Sequence, residues 1–311
     1  MRRLFVTGGT GYLGGELLRQ AAAAGWDVVA TYLSTEPPVP TGPLAPSAPA
    51  CWCRLDVTDA AAVSDLVGEL SPDAVIHTAY RRDGPRAAEV TVGGAAAVAR
   101  AAQAEGARLL HLSTDMVFDG ERAGRYTEDD PPRPVSAYGA DKLAAERAVL
   151  AADPLALVVR TSLLYGGAAP GPHEVAALEA AQGERDAVFF ADEVRCPTHV
   201  GDLAATLLEL VHTDAAGPLH VAGEDAVSRY ELACLVATAA GVGVERLRAG
   251  HSSDLGLCRP RNCALDSTRA ARMVTTPPRG VYEVLALPED VPPDWPGRRS
   301  AGVQPVTQSK N

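Results

Sequence analysis

The 311-residue chain predicts an α/β fold: a doubly wound parallel sheet with a smaller C-terminal α/β part. Three observations predict it. Strand-like and helix-like segments take turns through the first half of the chain. A glycine cluster sits between the first strand and the first helix. A tyrosine and a lysine stand four apart at the start of a later helix, beyond the fifth strand. Strands that alternate with helices pair in parallel and are covered on both faces.

The elements follow in order. Arg3 to Thr7 is a short apolar run ending in glycines, and Tyr12 to Ala24 predicts a helix closed by Gly25. Asp27 to Tyr32 is a β-branched run. Residues 37–49 hold six prolines, which predicts an exposed loop. Trp52 to Val57 alternates, and Asp59 caps a helix reaching Leu70. Ala74 to Thr78 predicts a strand, and Ala87 to Glu105 an alanine-rich helix ended by Gly106. Arg108 to Ser113 is a strand, Ala137 to Ala152 a helix, and Leu155 to Arg160 a buried strand. The remainder is less regular. Val200 to Val211 predicts a helix, Pro218 to Ala222 a strand, and Ser228 caps a helix to Ala240, closed by Gly241. Residues 288–311 are proline-rich and polar, as a flexible tail would be.

Composition narrows the function. The formal net charge is −11, and phosphate backbones and anionic membranes call for basic surfaces. No nucleic-acid or membrane partner is expected. No apolar run approaches the ~18 residues of a membrane span. The apolar start stops at Thr7-Gly8-Gly9, short of a signal peptide, so the cytoplasm is expected. The six cysteines lack metal-site spacing, so no metal is expected. Of the 28 basic residues only two are lysines, Lys142 and the near-terminal Lys310. A chain that otherwise uses arginine keeps one lysine in its body, and the two cations differ in shape and pKa.

Gly8, Gly11 and Gly14 are spaced by three in the turn between strand and helix. Such a turn lets backbone amides approach a pyrophosphate, at which the next helix points its positive end. The expected cofactor contacts are Gly8, Gly11, Tyr12, Leu13 and Gly14. The second strand ends in Ser34 and Thr35 rather than in an acid. Hydroxyls tolerate a ribose 2′-phosphate that a carboxylate would repel, so NADP(H) is favoured over NAD(H). Asp56 and Val57 fall near the adenine, with a helix cap as the other reading of Asp56.

Tyr138 and Lys142 share a helix face. A free phenol has a pKa of about 10, and bringing it to about 7 takes roughly 4 kcal/mol of phenolate stabilisation. A neighbouring ammonium and an oxidised nicotinamide would supply it. Thr114, just past the fifth strand, is placed to hydrogen-bond a substrate oxygen. His111, in that strand, is expected to be a satisfied core group, or one supporting the site from behind, rather than a base. Arg81-Arg82 read equally as a phosphate contact or a solvated loop.

At these residues the chain resembles the extended short-chain dehydrogenases, and within them the dTDP-4-dehydrorhamnose reductase family. Gly8 to Gly14, Ser113-Thr114-Asp115-Met116-Val117-Phe118-Asp119-Gly120, Tyr138 with Lys142, Arg195-Cys196-Pro197-Thr198 and Arg259-Pro260-x-Asn262 carry the likeness in order. The resemblance implies a Rossmann-type dinucleotide-binding domain over 1–165, to which 198–213 return, and a substrate-binding domain over 166–197 and 214–287. It implies ketone reduction on a nucleotide-linked 6-deoxy sugar with Thr114, Tyr138 and Lys142 as catalytic residues. Ser113, Ala79 and Tyr80 join the cofactor contacts; Thr114, Asp115, Met116 and Arg195 line the sugar-nucleotide cleft. A homodimer stays open.

Departures from the family keep other readings in view. Met116 stands where the family has Tyr, and the fourth strand ends His77-Thr78-Ala79-Tyr80 instead of Asn-Ala-Ala-Ala-Tyr. Thr91 stands where an Asn supports the lysine. A non-catalytic, cofactor-binding regulatory subunit is one alternative. An epimerase or dehydratase is another, disfavoured because dehydratases carry Asp-Glu after the threonine and this chain has Asp115-Met116.

Overall fold

A computed structural model describes residues 2–37, 51–256 and 259–286. The tail over 288–311, and the proline-rich loop apart from Pro37, lie outside the described residues.

Seven parallel strands form the central sheet. They are β1 (Arg3–Thr7), β2 (Asp27–Tyr32), β3 (Cys51–Arg54), β4 (Ala74–His77), β5 (Arg108–Thr114), β6 (Leu157–Thr161) and β7 (Gly217–His220), in the spatial order β7-β6-β5-β4-β1-β2-β3. The order reverses between β1 and β4, and in open α/β sheets that reversal opens a crevice at the strands' carboxyl ends. The expected α/β doubly wound sheet is what forms.

Alternation along the strands sorts side chains to two cores. Leu4, Val6, Ala74 and Ile76 face one side, where α1 (Tyr12–Ala23) brings Leu13 and Leu17, and α6 (Val200–Leu210) brings Leu203 and Leu207. Phe5, Val75 and Leu109 face the other, under α2 (Ala60–Leu70), α3 (Ala95–Ala104) and α4 (Ala137–Ala152). The predicted caps form: Asp59 accepts from the Ala62 amide, and Ser228 with Glu231 makes a capping box on α7 (Arg229–Ala239).

The expected helix over Ala87 to Glu105 is not uniform. Ala87 and Ala88 are helical, Glu89–Gly94 is a π-helical turn, and the long run of regular α-helix begins at Ala95. Thr91 and the glycine pair weaken the α ladder there, and its first turn is wound wide. An unexpected helix, α5 (Pro172–Gln182), starts with proline in its first turn and stops at Gly183. Its Glu174 carboxylate accepts from the amides of Gly171 at 2.7 Å and Gly166 at 3.0 Å. A third core packs α5 and α7 around Tyr165, Phe189 and Leu232. A fourth ties Phe118 and Tyr126 to Cys196, Cys263 and Leu265. Among the described residues, no helix is long and apolar enough to cross a membrane.

Gly14 is where helix and turn meet most closely. A Cβ there would strike the Gly8 carbonyl oxygen and come within 2.9 Å of the Gly9 Cα. Backbone cannot step aside cheaply, so Gly14→Ala should destabilise the fold by about 1–3 kcal/mol. The urea-unfolding midpoint reads this, and an unchanged midpoint would refute the close packing.

Candidate active site

The crevice at the carboxyl ends of the strands is a cavity of about 810 Å³. At its floor the glycine turn feeds α1. No side chain caps α1, so its first amides are left to face the cavity, whose wall includes Gly8, Gly11, Tyr12, Leu13 and Gly14. Gly8 has φ +72, and an added Cβ would sit 2.9 Å from the Thr78 hydroxyl. Backbone without side chains, at a positive helix end, is a fit for a pyrophosphate. The Tyr12 hydroxyl donates to Glu174 at 3.2 Å and accepts from the Gly167 amide at 2.7 Å, which ties the turn to α5.

Ser34, Thr35, Asp56 and Val57 line the far end beyond β2 and β3. Both hydroxyl residues are exposed there. Asp56 is not the helix cap, since Asp59 is. Its Oδ1 accepts from the Thr58 hydroxyl at 2.7 Å and amide at 3.0 Å, and its Oδ2 faces Arg86 at 3.4 Å. Those hydrogen bonds to Thr58, and then Arg86, hold the carboxyl below its usual range. Arg86 also lines the cavity, and sequence reasoning missed it.

The centre gathers Ala79, Tyr80, Ser113, Thr114, Tyr138 and Lys142 in one wall. Ser136 caps α4 and so starts the helix one residue before Tyr138's turn. Gly139 lets that turn settle on the Met116 carbonyl, where a Cβ would collide. Lys142 is 4% exposed; its Nζ donates to the Leu112 carbonyl at 2.8 Å and lies 4.7 Å from the centre of the Tyr80 ring. Burial lowers its pKa to about 8, against the pull of Glu146. Tyr80 stands 5.9 Å from Tyr138, ring to ring.

The expected acidic phenol is not found in the protein alone. Burial pushes Tyr138 well above the usual tyrosine range, and Tyr80 and Asp115 push the same way, while Thr114 and Arg82 oppose. Desolvation of the phenolate outweighs the charges nearby.

The last wall belongs to substrate-side groups. Asp115, 3% exposed, accepts from Ser162 at 2.6 Å and Thr114 at 3.1 Å, and lies 3.8 Å from Arg195. Burial raises its pKa against Arg195. Met116 and Arg195 also reach the wall. Arg195, however, spends its donors on the carbonyls of Val194, Pro260 and Arg261 and on the Met116 sulfur. It braces the wall. Arg82, Arg229 and Arg259 surround the same space with His173 and Glu193. Arg259 pairs with Glu193 at 2.9 Å, and Arg229 meets His173 at 3.2 Å. Arg82 lies 5.5 Å from the Tyr138 ring, so that loop arginine faces the cavity. His173, Glu193 and Arg229 gave no local signal, because only the third core brings α5 and α7 together.

The model of the RmlD substrate-binding domain matches residues 1–287. The chain belongs to that family. With membership goes the class, an NAD(P)-dependent oxidoreductase of the short-chain dehydrogenase kind. A dTDP-4-dehydrorhamnose reductase of Mycobacterium tuberculosis is 36% identical over 301 residues, covering 91% of each chain. Methionine adenosyltransferase 2 subunit beta of Rattus norvegicus is 30% identical, over 86% of this chain and 81% of the relative. The structure of a Bacillus anthracis dTDP-4-dehydrorhamnose reductase in complex with NADP superposes with a TM-score of 0.77 at 26% identity, over 92% of this chain and 98% of that one.

Within the RmlD framework, two departures lie behind the lysine. Thr91, at the π-turn, donates to the Arg81 carbonyl at 3.0 Å and accepts from its amide at 3.2 Å, clamping the loop that carries Tyr80 and Arg82. His77 stacks on His111 at 5.3 Å and meets the Thr7 hydroxyl at 2.7 Å. His111 is not satisfied as expected: neither ring nitrogen has a hydrogen-bond partner among the described residues.

Burial, the largest cause, pulls His77 to about 3, and His173 and His220 to about 4. The unfolded chain takes up these protons near pH 6.5, while the fold keeps the rings neutral. The unfolded state then binds more protons, so stability falls as pH drops from about 6.5 toward 4. Urea midpoints at pH 7 and pH 5 should differ clearly, and a flat profile would refute neutral burial.

Proposed function

We propose that the chain reduces the C4 ketone of a nucleotide-linked 6-deoxy sugar with NADPH, Tyr138 donating the proton. The observation that carries this is the meeting of Thr114, Tyr138 and Lys142 in a cavity with the glycine turn at one side and three arginines at the other. The resemblance between this chain and the mycobacterial reductase supports the substrate class.

The glycine turn and the amides of α1 would hold the cofactor's pyrophosphate, with Ser34 and Thr35 at the ribose. Hydroxyls rather than an acid at positions 34 and 35 favour the 2′-phosphate, and the NADP complex of the Bacillus anthracis relative supports the same choice. When bound, the reduced nicotinamide supplies a hydride to the carbonyl carbon. Tyr138 is held protonated by burial, which is the form a proton donor needs in reduction. Thr114 would turn its hydroxyl from Asp115 to donate to the same carbonyl oxygen. Lys142 then stabilises the phenolate left behind. Arg229 and Arg259 match a diphosphate in charge and fork geometry. The segments 166–197 and 214–287 serve as the substrate lobe, and Met116 leaves no acid for dehydration. A cytoplasmic enzyme suits the free thiols.

A second reading is a cofactor-holding subunit of another enzyme, favoured by the likeness to the rat adenosyltransferase subunit. Absorbance of NADPH with a panel of nucleotide-linked 4-keto sugars separates the two. Tyr138→Phe should cut turnover about 10²–10⁴-fold. Tight NADPH binding without turnover on any ketone would favour the subunit. Arg259→Ala should raise KM for the sugar nucleotide about tenfold, as expected for roughly 1.4 kcal/mol of charge-assisted contact. An unchanged KM would remove the arginines from substrate binding. NADH titration, followed by fluorescence, should show weaker binding than NADPH.

A further inference from the structure

Beyond Tyr138 and Lys142, α4 carries a third titratable residue on the same face, Glu146, and it is buried. Tyr138, Lys142 and Glu146 are four apart in turn, so they stack along one side of the helix. Glu146 is 2% exposed and Lys142 4%. The carboxylate does not close on the ammonium. Arg160 of β6, itself 3% exposed, takes it by two bonds, Nε to Oε1 at 3.0 Å and an Nη to Oε2 at 2.7 Å. The Ser113 hydroxyl adds a third at 2.5 Å. Arg160 is fixed in turn over the Phe118 ring at 5.2 Å.

We propose that Glu146, held back by Arg160 and Ser113, is a positioning residue that keeps Lys142 charged while leaving its ammonium free to face Tyr138. A direct ion pair would turn the ammonium away from the cavity. A carboxylate one helical turn off acts through the poorly screened interior instead. Four other side chains surround Lys142. Tyr138 shares its helix. His111 of β5 and His77 of β4 are kept neutral by burial. The Tyr80 ring covers it from the loop after β4. Arg160 reaches it only through Glu146. Glu146 is therefore the anion among them, and without it Arg160 and Lys142 would be two buried like charges.

The proposal rests on Lys142 working at the proposed site, but it can be read without turnover. The chain has two lysines, so lysine labelled with carbon-13 at the ε position gives two resonances. Lys310→Arg identifies which one is Lys142. Its titration midpoint should lie near the lowered value of about 8 in the full-length protein. Glu146→Gln should move that midpoint down by about one pH unit or more, a tenfold change in proton affinity. Arg160→Met should move it up, because Glu146 loses its competing cation. Circular dichroism checks that each variant folds. Opposite shifts support the role, and the alkaline limb of kcat should move with them. Shifts in the same direction, or none in whichever variant folds, would overturn it. Ketone reduction absent in the wild type would instead refute the proposed function and leave these shifts intact.

Discussion

A buried ammonium is costly, and the centre of this protein is arranged around one. Lys142 gives up nearly all its hydration and recovers one carbonyl, one aromatic face and a carboxylate at a distance. Removing charge from water disfavours the charged form, which is why its proton is held less tightly than on an exposed lysine. The same water-poor layer acts on Tyr138 with the opposite sign, because the phenol's charged form is the deprotonated one. Burial thus favours a neutral phenol beside an easily titrated amine. For the proposed reductive step that order would be useful: a phenol donor would keep its proton until an oxygen is ready to take it. An oxidised nicotinamide would add the positive charge that the phenolate needs in the reverse direction.

How far the sequence shows this depends on how local each signal is. The glycine turn, β1, β2 and α4 were legible because their determinants lie within a few residues: Gly8 to Gly14, the β-branched run to Tyr32, and the helix-forming stretch from Ala137 to Ala152. The eighteen expected site residues line a single cavity for the same reason, since strand ends and the loops after them meet at one sheet edge. The π-turn at Glu89–Gly94 was hidden inside a composition that reads as helix. Helix α5 was hidden because its apolar face is built from alanines and is completed by α7, some fifty residues on. The strand expected over Trp52 to Val57 closes at Arg54, freeing Leu55, Asp56 and Val57 to line the cavity.

Charge at the substrate end was the least legible feature. Arg195 stood out by motif, yet its guanidinium is used up on backbone carbonyls and the Met116 sulfur. The arginines that face open space come from the loop after β4, the first turn of α7 and the segment before Pro260. Nothing in the local sequence distinguishes a bracing arginine from a binding one. Donor use decides it, and donor use is a tertiary fact.

The contrast between these arginines and the lone lysine has a physical basis. A guanidinium spreads its charge over a planar fork and holds its proton at any ordinary pH, so it suits a diphosphate or a row of carbonyls. Beneath Tyr80, with one carbonyl at 2.8 Å and a ring centre at 4.7 Å, there is a seat for one compact cation. An arginine there would bring five donors to satisfy and a charge that burial could not bring near neutrality. Lysine can be tuned by its surroundings, and the Ser113–Glu146–Arg160 network is the surrounding that tunes it. A chain that uses arginine almost everywhere therefore keeps lysine at the buried seat where a compact, tunable cation fits.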